Sequence, residues 1–235
     1  MDVNGKKALV FGGTSGIGLA TTQALSAGGA SVVAISRNPD RAKDDVPSGV
    51  TLEQCDVRDR DGLAALFAKC APYDILISAA TGGERAVGPF LEMDMNGFQG
   101  AFDKLWGYAN VVRFGAQHLA DDGCIVLVSG TPARNPKPGQ IAIGSVGAAV
   151  ENFARTVARE LAPKRLNVVS PGVIDTPMFG PASENRSQAL AGMTSGHPIA
   201  RAGTPEEVAQ GIMFMVENEF VTGTTIDVDG GWTLI

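Results

Sequence analysis

The stretch Phe11-Gly12-Gly13-Thr14-Ser15-Gly16-Ile17-Gly18 carries the reading of the fold. An apolar, β-branched run precedes it at 8–11. A helix-period stretch follows at 17–27 and stops at Gly28-Gly29, a good C-terminal signal. Glycines at 12, 16 and 18 therefore sit between a strand and a helix. Gly12 permits the tight turn. Gly16 and Gly18 let backbone and helix come close to a ligand. A helix N-terminus offers unpaired N–H groups and the positive end of a dipole, so Gly12, Thr14, Ser15, Gly16, Ile17 and Gly18 are suited to hold a pyrophosphate. A glycine-rich turn without a ligand is the bland alternative; the position inside a βαβ unit argues against it.

Outward from this loop, two kinds of segment alternate. Buried-strand runs stand at 32–35, 50–55, 75–78, 125–129, 166–170 and 225–228. Helix-period stretches stand at 63–70, 98–119, 142–161 and 205–216, the last opened by Thr204 as N-cap and Pro205. Strand and helix alternation predicts an α/β, doubly wound parallel sheet with right-handed crossovers. One domain, 1–235, is expected, with one long irregular stretch at 172–202, rich in Gly, Pro and Ser, that reads as a substrate lid.

Composition narrows the function. Nineteen Lys and Arg against 25 Asp and Glu give a net charge of −6, so neither nucleic acid nor an anionic membrane is an expected partner. Three cysteines, Cys55, Cys70 and Cys124, show no C-x-x-C spacing, which argues against a disulfide framework or a metal site and fits a reducing, cytoplasmic setting. No apolar run is long enough for a membrane span, and no signal peptide is visible.

The tip of the second strand discriminates between nucleotides. A carboxylate there usually holds the ribose diol of NAD. This chain reads Ala34-Ile35-Ser36-Arg37, with no carboxylate until Asp40. Arg37 can pair with a 2′-phosphate and Ser36 can donate to it, so NADP(H) is the expected cofactor. Arg37 can also be read as an ordinary exposed arginine.

Along nearly its whole length the sequence resembles the short-chain dehydrogenase/reductase family. The resemblance rests on Gly12-x-x-x-Gly16-x-Gly18, Asp56-Val57, Asp74-Ile75-Leu76-Ile77, Ile125 to Ser129, Arg165-Leu166-Asn167-Val168-Val169-Ser170-Pro171-Gly172, Asp175-Thr176-Pro177-Met178 and Thr222-Gly223-Thr224-Thr225-Ile226-Asp227-Val228-Asp229-Gly230-Gly231. It implies a Rossmann-type sheet of seven parallel strands, a mobile substrate loop after Pro171-Gly172, and a homo-tetramer or homo-dimer. It carries adenine contacts onto Asp56 and Val57, adenosine contacts onto Ala79 and Ala80, nicotinamide amide contacts onto Ile174 and Thr176, and cofactor contacts onto Pro171 and Gly172.

The departures concern chemistry. The family's Asn-Asn-Ala-Gly reads Ser78-Ala79-Ala80-Thr81. Family catalysis uses a Ser and a Tyr-x-x-x-Lys pair. Register fixed by Val128-Ser129 and Ala148-Ala149-Val150-Glu151 puts Gly130, Ile143 and Gly147 at those places. The only tyrosines are Tyr73 and Tyr108, and no lysine lies between Lys137 and Lys164. The family's Asn falls near Lys104. Gly147 is expected to vacate a lysine-sized space that the Lys104 ammonium enters; a surface lysine is the other reading. A lost general acid removes roughly 10²- to 10⁴-fold of rate, although hydride transfer to an imine or enone needs less acid help.

Ser129 and Arg134 are the other catalytic candidates. Ser129 either bends into the site or merely ends its strand. Arg134, with Lys137, either binds an anionic substrate group or is a solvated loop charge. Ser145, His118, Trp106, Tyr108 and Cys124 read as structural; His197, before Pro198 on the expected lid, is explained equally by a turn and by catalysis. No metal-ligand cluster is visible. Three functions remain open: an NADP(H)-dependent oxidoreductase with a non-standard site acting on a small carbonyl, imine or enone; a catalytically inactive NADP(H)-binding sensor or assembly partner; and an enzyme of another class that reuses the nucleotide pocket.

Overall fold

The computed structural model describes residues 1–81 and 86–235. Seven strands form one all-parallel sheet: β1 (Lys7–Phe11), β2 (Ser31–Ser36), β3 (Thr51–Gln54), β4 (Tyr73–Ser78), β5 (Leu119–Val128), β6 (Arg165–Pro171) and β7 (Thr225–Val228). Their order is β3-β2-β1-β4-β5-β6-β7. The chain reverses its direction of travel across the sheet between β1 and β4, which opens a crevice at the carboxyl edge.

Successive strand residues face opposite layers. Leu9, Phe11, Leu76, Leu127 and Val168 pack on α2 (Arg60–Cys70), α4 (Asp103–Gly115) and α5 (Ile141–Leu161). Ala8, Val10, Ile75, Ile77 and Val126 face α1 (Gly16–Ala27) and α7 (Pro205–Glu217). Such two-sided burial is why these strands read as continuous apolar runs rather than alternating ones.

Three elements differ from expectation. The single helix expected over 98–119 is two: α3 (Met95–Ala101), capped by the Asp94 carboxylate, and α4. Phe102 joins them at φ −73° and ψ −10°, still near helical, so the apolar period runs on across the break. Gly97 and Gly100 weaken the helix just before it. β5 begins at Leu119 rather than 125, because Leu119 pairs with Tyr73 and the register then slips over the polar Asp121-Asp122-Gly123. The stretch 172–202 is not irregular throughout. It contains α6 (Glu184–Thr194), whose N-cap Ser183 accepts from the Arg186 N–H.

Candidate active site

The strand β1 delivers Gly12 to the carboxyl edge. Its N–H donates to the Ile35 carbonyl of β2 at 2.8 Å, and the Phe11 carbonyl accepts from Ala79 at 2.9 Å. Gly12 has φ +76°, and a Cβ there would stand 2.9 Å from the Ala79 and Ala80 main chain. A Cβ on Gly18 would stand 2.0 Å from the Gly12 carbonyl oxygen. Only glycines let α1 start this close to β1. Ser15 caps α1 in extended backbone without a side-chain hydrogen bond to the helix, which leaves its hydroxyl and the first N–H groups facing out. Thr176 closes the other side: its methyl lies 3.3 Å from where a Gly16 Cβ would be. Gly12, Thr14, Ser15, Gly16, Ile17, Gly18, Ala79, Ala80 and Thr176 are therefore brought together.

At the tip of β2, the Ser36 hydroxyl oxygen is buried and has no hydrogen-bond partner among the described residues. Arg37 beside it is exposed and forms no ion pair among them, whereas Asp40 is paired with Lys43 at 2.9 Å. The Ser36 carbonyl accepts from Cys55, and Asp56 turns back so that its Oδ1 accepts from the Arg58 N–H at 2.9 Å. Val57 packs against Gly107 of α4, and its carbonyl accepts from the Asn110 amide at 3.1 Å. These residues lie beyond the carboxyl ends of β2 and β3.

At the tip of β5 the candidates meet a group that the sequence reading passed over. Lys104 on α4 donates from Nζ to the Ser129 carbonyl at 2.8 Å. The Ser129 hydroxyl donates to Glu151 Oε1 at 2.9 Å. Arg134 holds its Nε 3.6 Å from Glu151 Oε2 and pairs through Nη2 with Asp227 of β7. Lys104, Ser129 and Arg134 are thus linked through Glu151. Burial pushes the Glu151 carboxyl above its ordinary range, against the Ser129 hydrogen bond and the Arg134 charge. Burial also raises Asp227, again against Arg134. Glu151 shares a face of α5 with Gly147, Ala154 and Ala158, all buried. A carboxylate in that apolar stripe was the signal that could have found it.

The space at Gly147 is not open to Lys104. A Gly147 Cβ would stand 2.9 Å from the Ala133 methyl and 3.4 Å from the Gly130 carbonyl oxygen. A Gly144 Cβ would stand 2.7 Å from the Pro132 carbonyl oxygen. The one-turn 3-10 helix Thr131–Ala133 fills the notch these two glycines leave in α5. Arg134 and Lys137 are engaged rather than simply solvated, since Lys137 donates to the Ile235 carbonyl at 2.9 Å.

Beyond β6, Pro171 accepts at its carbonyl from the buried Thr131 hydroxyl at 2.8 Å. Gly172 passes tight against the Asp229 backbone, and Ile174 bridges to Gly203. Burial lifts the Cys55 and Cys124 thiols to about 11 and raises Cys70, so none is a ready nucleophile. Among the described residues no cluster of three or more His, Cys, Asp or Glu could hold a metal, and no helix is long and apolar enough to cross a membrane.

The family model described as enoyl-(acyl carrier protein) reductase matches residues 12–233. The chain is a short-chain dehydrogenase/reductase. Members of this family are oxidoreductases that use a nicotinamide cofactor. Among curated relatives, this short-chain dehydrogenase/reductase is 33% identical to the 3-oxoacyl-(acyl-carrier-protein) reductase FabG of Thermotoga maritima, over 98% of this chain and 99% of that one. Among solved structures, a short-chain dehydrogenase/reductase family protein is 35% identical, with TM-score 0.87 and all of both chains covered. A short-chain oxidoreductase from Pseudomonas aeruginosa PAO1 is 28% identical, with TM-score 0.86 over 96% of each chain. That protein was solved with NADPH bound and is described as containing an atypical catalytic center.

Proposed function

We propose that this chain is an NADP(H)-dependent oxidoreductase acting on a small carbonyl, imine or enone substrate through a site without the family's Ser-Tyr-Lys group. What supports the reading is a glycine turn built to backbone tolerance, beside a β5 tip where the family register would put Gly130, Ile143 and Gly147 at the usual catalytic places. The NADPH-bound relative with an atypical center supports it by analogy.

The cradle fits the cofactor. Glycines at 12 and 18 leave room that a Cβ would take, and the buried Ser36 hydroxyl has no partner among the described residues and is free to bond a 2′-phosphate or ribose oxygen. Gly12, Thr14, Ser15, Gly16, Ile17 and Gly18 would hold the pyrophosphate, Ser36 and Arg37 the 2′-phosphate, and Asp56, Val57, Ala79 and Ala80 the adenosine. Pro171, Gly172, Ile174 and Thr176 would hold the nicotinamide end. Bound NADP(H) supplies or accepts a hydride.

Lys104 holds its ammonium on the Ser129 carbonyl at the β5 tip. From there its ammonium holds a proton for the reacting oxygen or nitrogen, or binds a ribose hydroxyl. Ser129 orients it through the carbonyl rather than the hydroxyl, which Glu151 engages. Residues 172–202, with α6 inside them, form the substrate loop of this one-domain chain.

A second reading, a catalytically inactive NADP(H)-binding sensor or assembly partner, is favoured by one observation: the Thr131–Ala133 turn fills the Gly147 notch. The test is a fluorescence titration with NADPH and NADH, followed by turnover on carbonyl, imine and enone panels. NADPH binding with oxidation by one panel supports the oxidoreductase. Tight binding without turnover supports the second reading. No nucleotide binding overturns both.

A further inference from the structure

The turn after β5 is held from several sides, and Asn135 at its end donates to the Trp232 carbonyl and accepts from the Trp232 indole N–H. The buried Thr131 hydroxyl donates to the Pro171 carbonyl. Pro132 and Ala133 lie in the notch made by Gly144 and Gly147. Arg134, next in the chain, reaches Glu151 on α5 and Asp227 on β7, which is 93 residues away. The turn's own bonds are few: Ala133 N–H to the Gly130 carbonyl, and the Arg134 and Asn135 N–H groups to the Thr131 carbonyl at 3.0 and 3.1 Å. Three such bonds form a single turn of 3-10 geometry, which is weak on its own.

We propose that Arg134 is a positioning residue, a buckle that fastens to Glu151 and Asp227 and holds the Thr131–Ala133 turn in the glycine notch of α5, so that this turn forms the wall at the β5 tip only while the buckle is closed.

The buckle is responsive by construction. One guanidinium serves two carboxylates, and both are partly or largely buried. The groups facing Glu151 are the Ser129 hydroxyl, Arg134, Asp227 and Arg155; those facing Asp227 are Arg134, Asp229 and the Ser170 hydroxyl. Burial is the largest influence on each carboxyl and favours the neutral form. Both therefore take up a proton at higher pH than a surface carboxylate. A raised carboxyl stabilises the fold below its ordinary value and loses that contribution as pH rises through the raised one. What couples pH to the turn is the Arg134 charge: it lowers both carboxyls, so each binds its proton more tightly once Arg134 withdraws while the carboxyls stay covered, and acid favours the open buckle. The turn opens while the domain stays folded.

The test is hydrogen exchange followed by mass spectrometry on the whole chain, from about pH 8 to about pH 5, corrected for intrinsic rates. Peptides covering 131–135 are the readout, and thermal unfolding is the control. In the wild type, protection of the turn is expected to fall by roughly tenfold or more on acidification while the core strands stay protected. Arg134→Met is expected to show the acid-like rate at every pH. Glu151→Gln and Asp227→Asn each keep shape but remove a charge, and the double variant is expected to abolish the pH step. These two carry the test if Arg134→Met does not fold. Wild-type protection that does not change with pH, unchanged protection in Arg134→Met at about pH 8, or a pH step that survives in the double variant, overturns the proposal. None of these readouts depends on turnover or on nucleotide binding.

Discussion

Replacing Gly12 by alanine tests the cradle directly. Gly12 combines two demands that can be separated. Its φ of +76° is left-handed, which costs an L-residue about 1–2 kcal/mol. A Cβ would also press to 2.9 Å on the Ala79 carbonyl carbon and the Ala80 nitrogen, main-chain atoms that no rotamer change can move. Overpacking of that kind costs about 1–3 kcal/mol. The sum is about 2–5 kcal/mol, and for a domain of this size each kcal/mol lowers Tm by about 2–4 °C. Gly5 is the matched control, with φ +73° and nothing within 4 Å of its Cβ position. Gly5→Ala should therefore show only the conformational part, about 1–2 kcal/mol. Calorimetry on the two variants isolates the crowding, and an NADPH titration shows whether it matters. Gly12→Ala should unfold well below Gly5→Ala and bind NADPH at least roughly tenfold more weakly, a loss of about 1.4 kcal/mol. Equal Tm values for the two variants, with nucleotide affinity intact in Gly12→Ala, would refute the reasoning: the close approach of β1 and β4 would then have nothing to do with the glycine.

Three further outcomes are expected. Arg37→Asp removes a charge-assisted partner worth about 1.5–3 kcal/mol, so the NADPH to NADH affinity ratio should fall roughly 10- to 100-fold; an unchanged ratio means that Arg37 does not read the nucleotide. Lys104→Met loses the bond to the Ser129 carbonyl and should lower turnover or cofactor affinity at least roughly tenfold, and steady-state kinetics with both unchanged would remove Lys104 from the site. Glu207 closes a capping box with Thr204, and its carboxyl is held down to about 2 by Arg201 and then by the Thr204 N–H. A depressed carboxylate contributes stability above its ordinary value and loses it as pH falls toward the depressed one. Glu207→Gln should then flatten the fall of Tm between about pH 4.5 and about pH 2, by about 1 kcal/mol or less because the side chain is well exposed, and parallel Tm curves for the two proteins would contradict this.

The elements differ in how far they could be read in advance. Thr204-Pro205 announced α7 because a cap, a first-turn proline and an acidic first turn are all local signals. The joint at Phe102 could not be read in this way, since a residue at near-helical angles leaves the apolar period unbroken. Helix α6 lies in a stretch whose glycines, prolines and serines masked an eleven-residue helix with only two buried side chains, Leu190 and Thr194. An amphipathic signal is weak where so little is buried.

The sequence by itself determined the parallel doubly wound sheet and the position of the glycine turn between β1 and α1. Both follow from short-range sterics: which residues tolerate a left-handed turn, which side chains suit a strand buried on both faces, and where a helix can begin. It also determined that Ile143 and Gly147 cannot transfer a proton, since neither carries an ionisable group. Only the tertiary structure decided what fills the space they leave. Ser129 meets Glu151 across 22 residues and Arg134 meets Asp227 across 93, distances bridged by the order of β5, β6 and β7 in the sheet and by the packing of α5 on it. Local preferences can specify how each element forms, but an ion pair belongs to the docking of elements. The same docking put a turn, rather than a lysine ammonium, in the notch at Gly147.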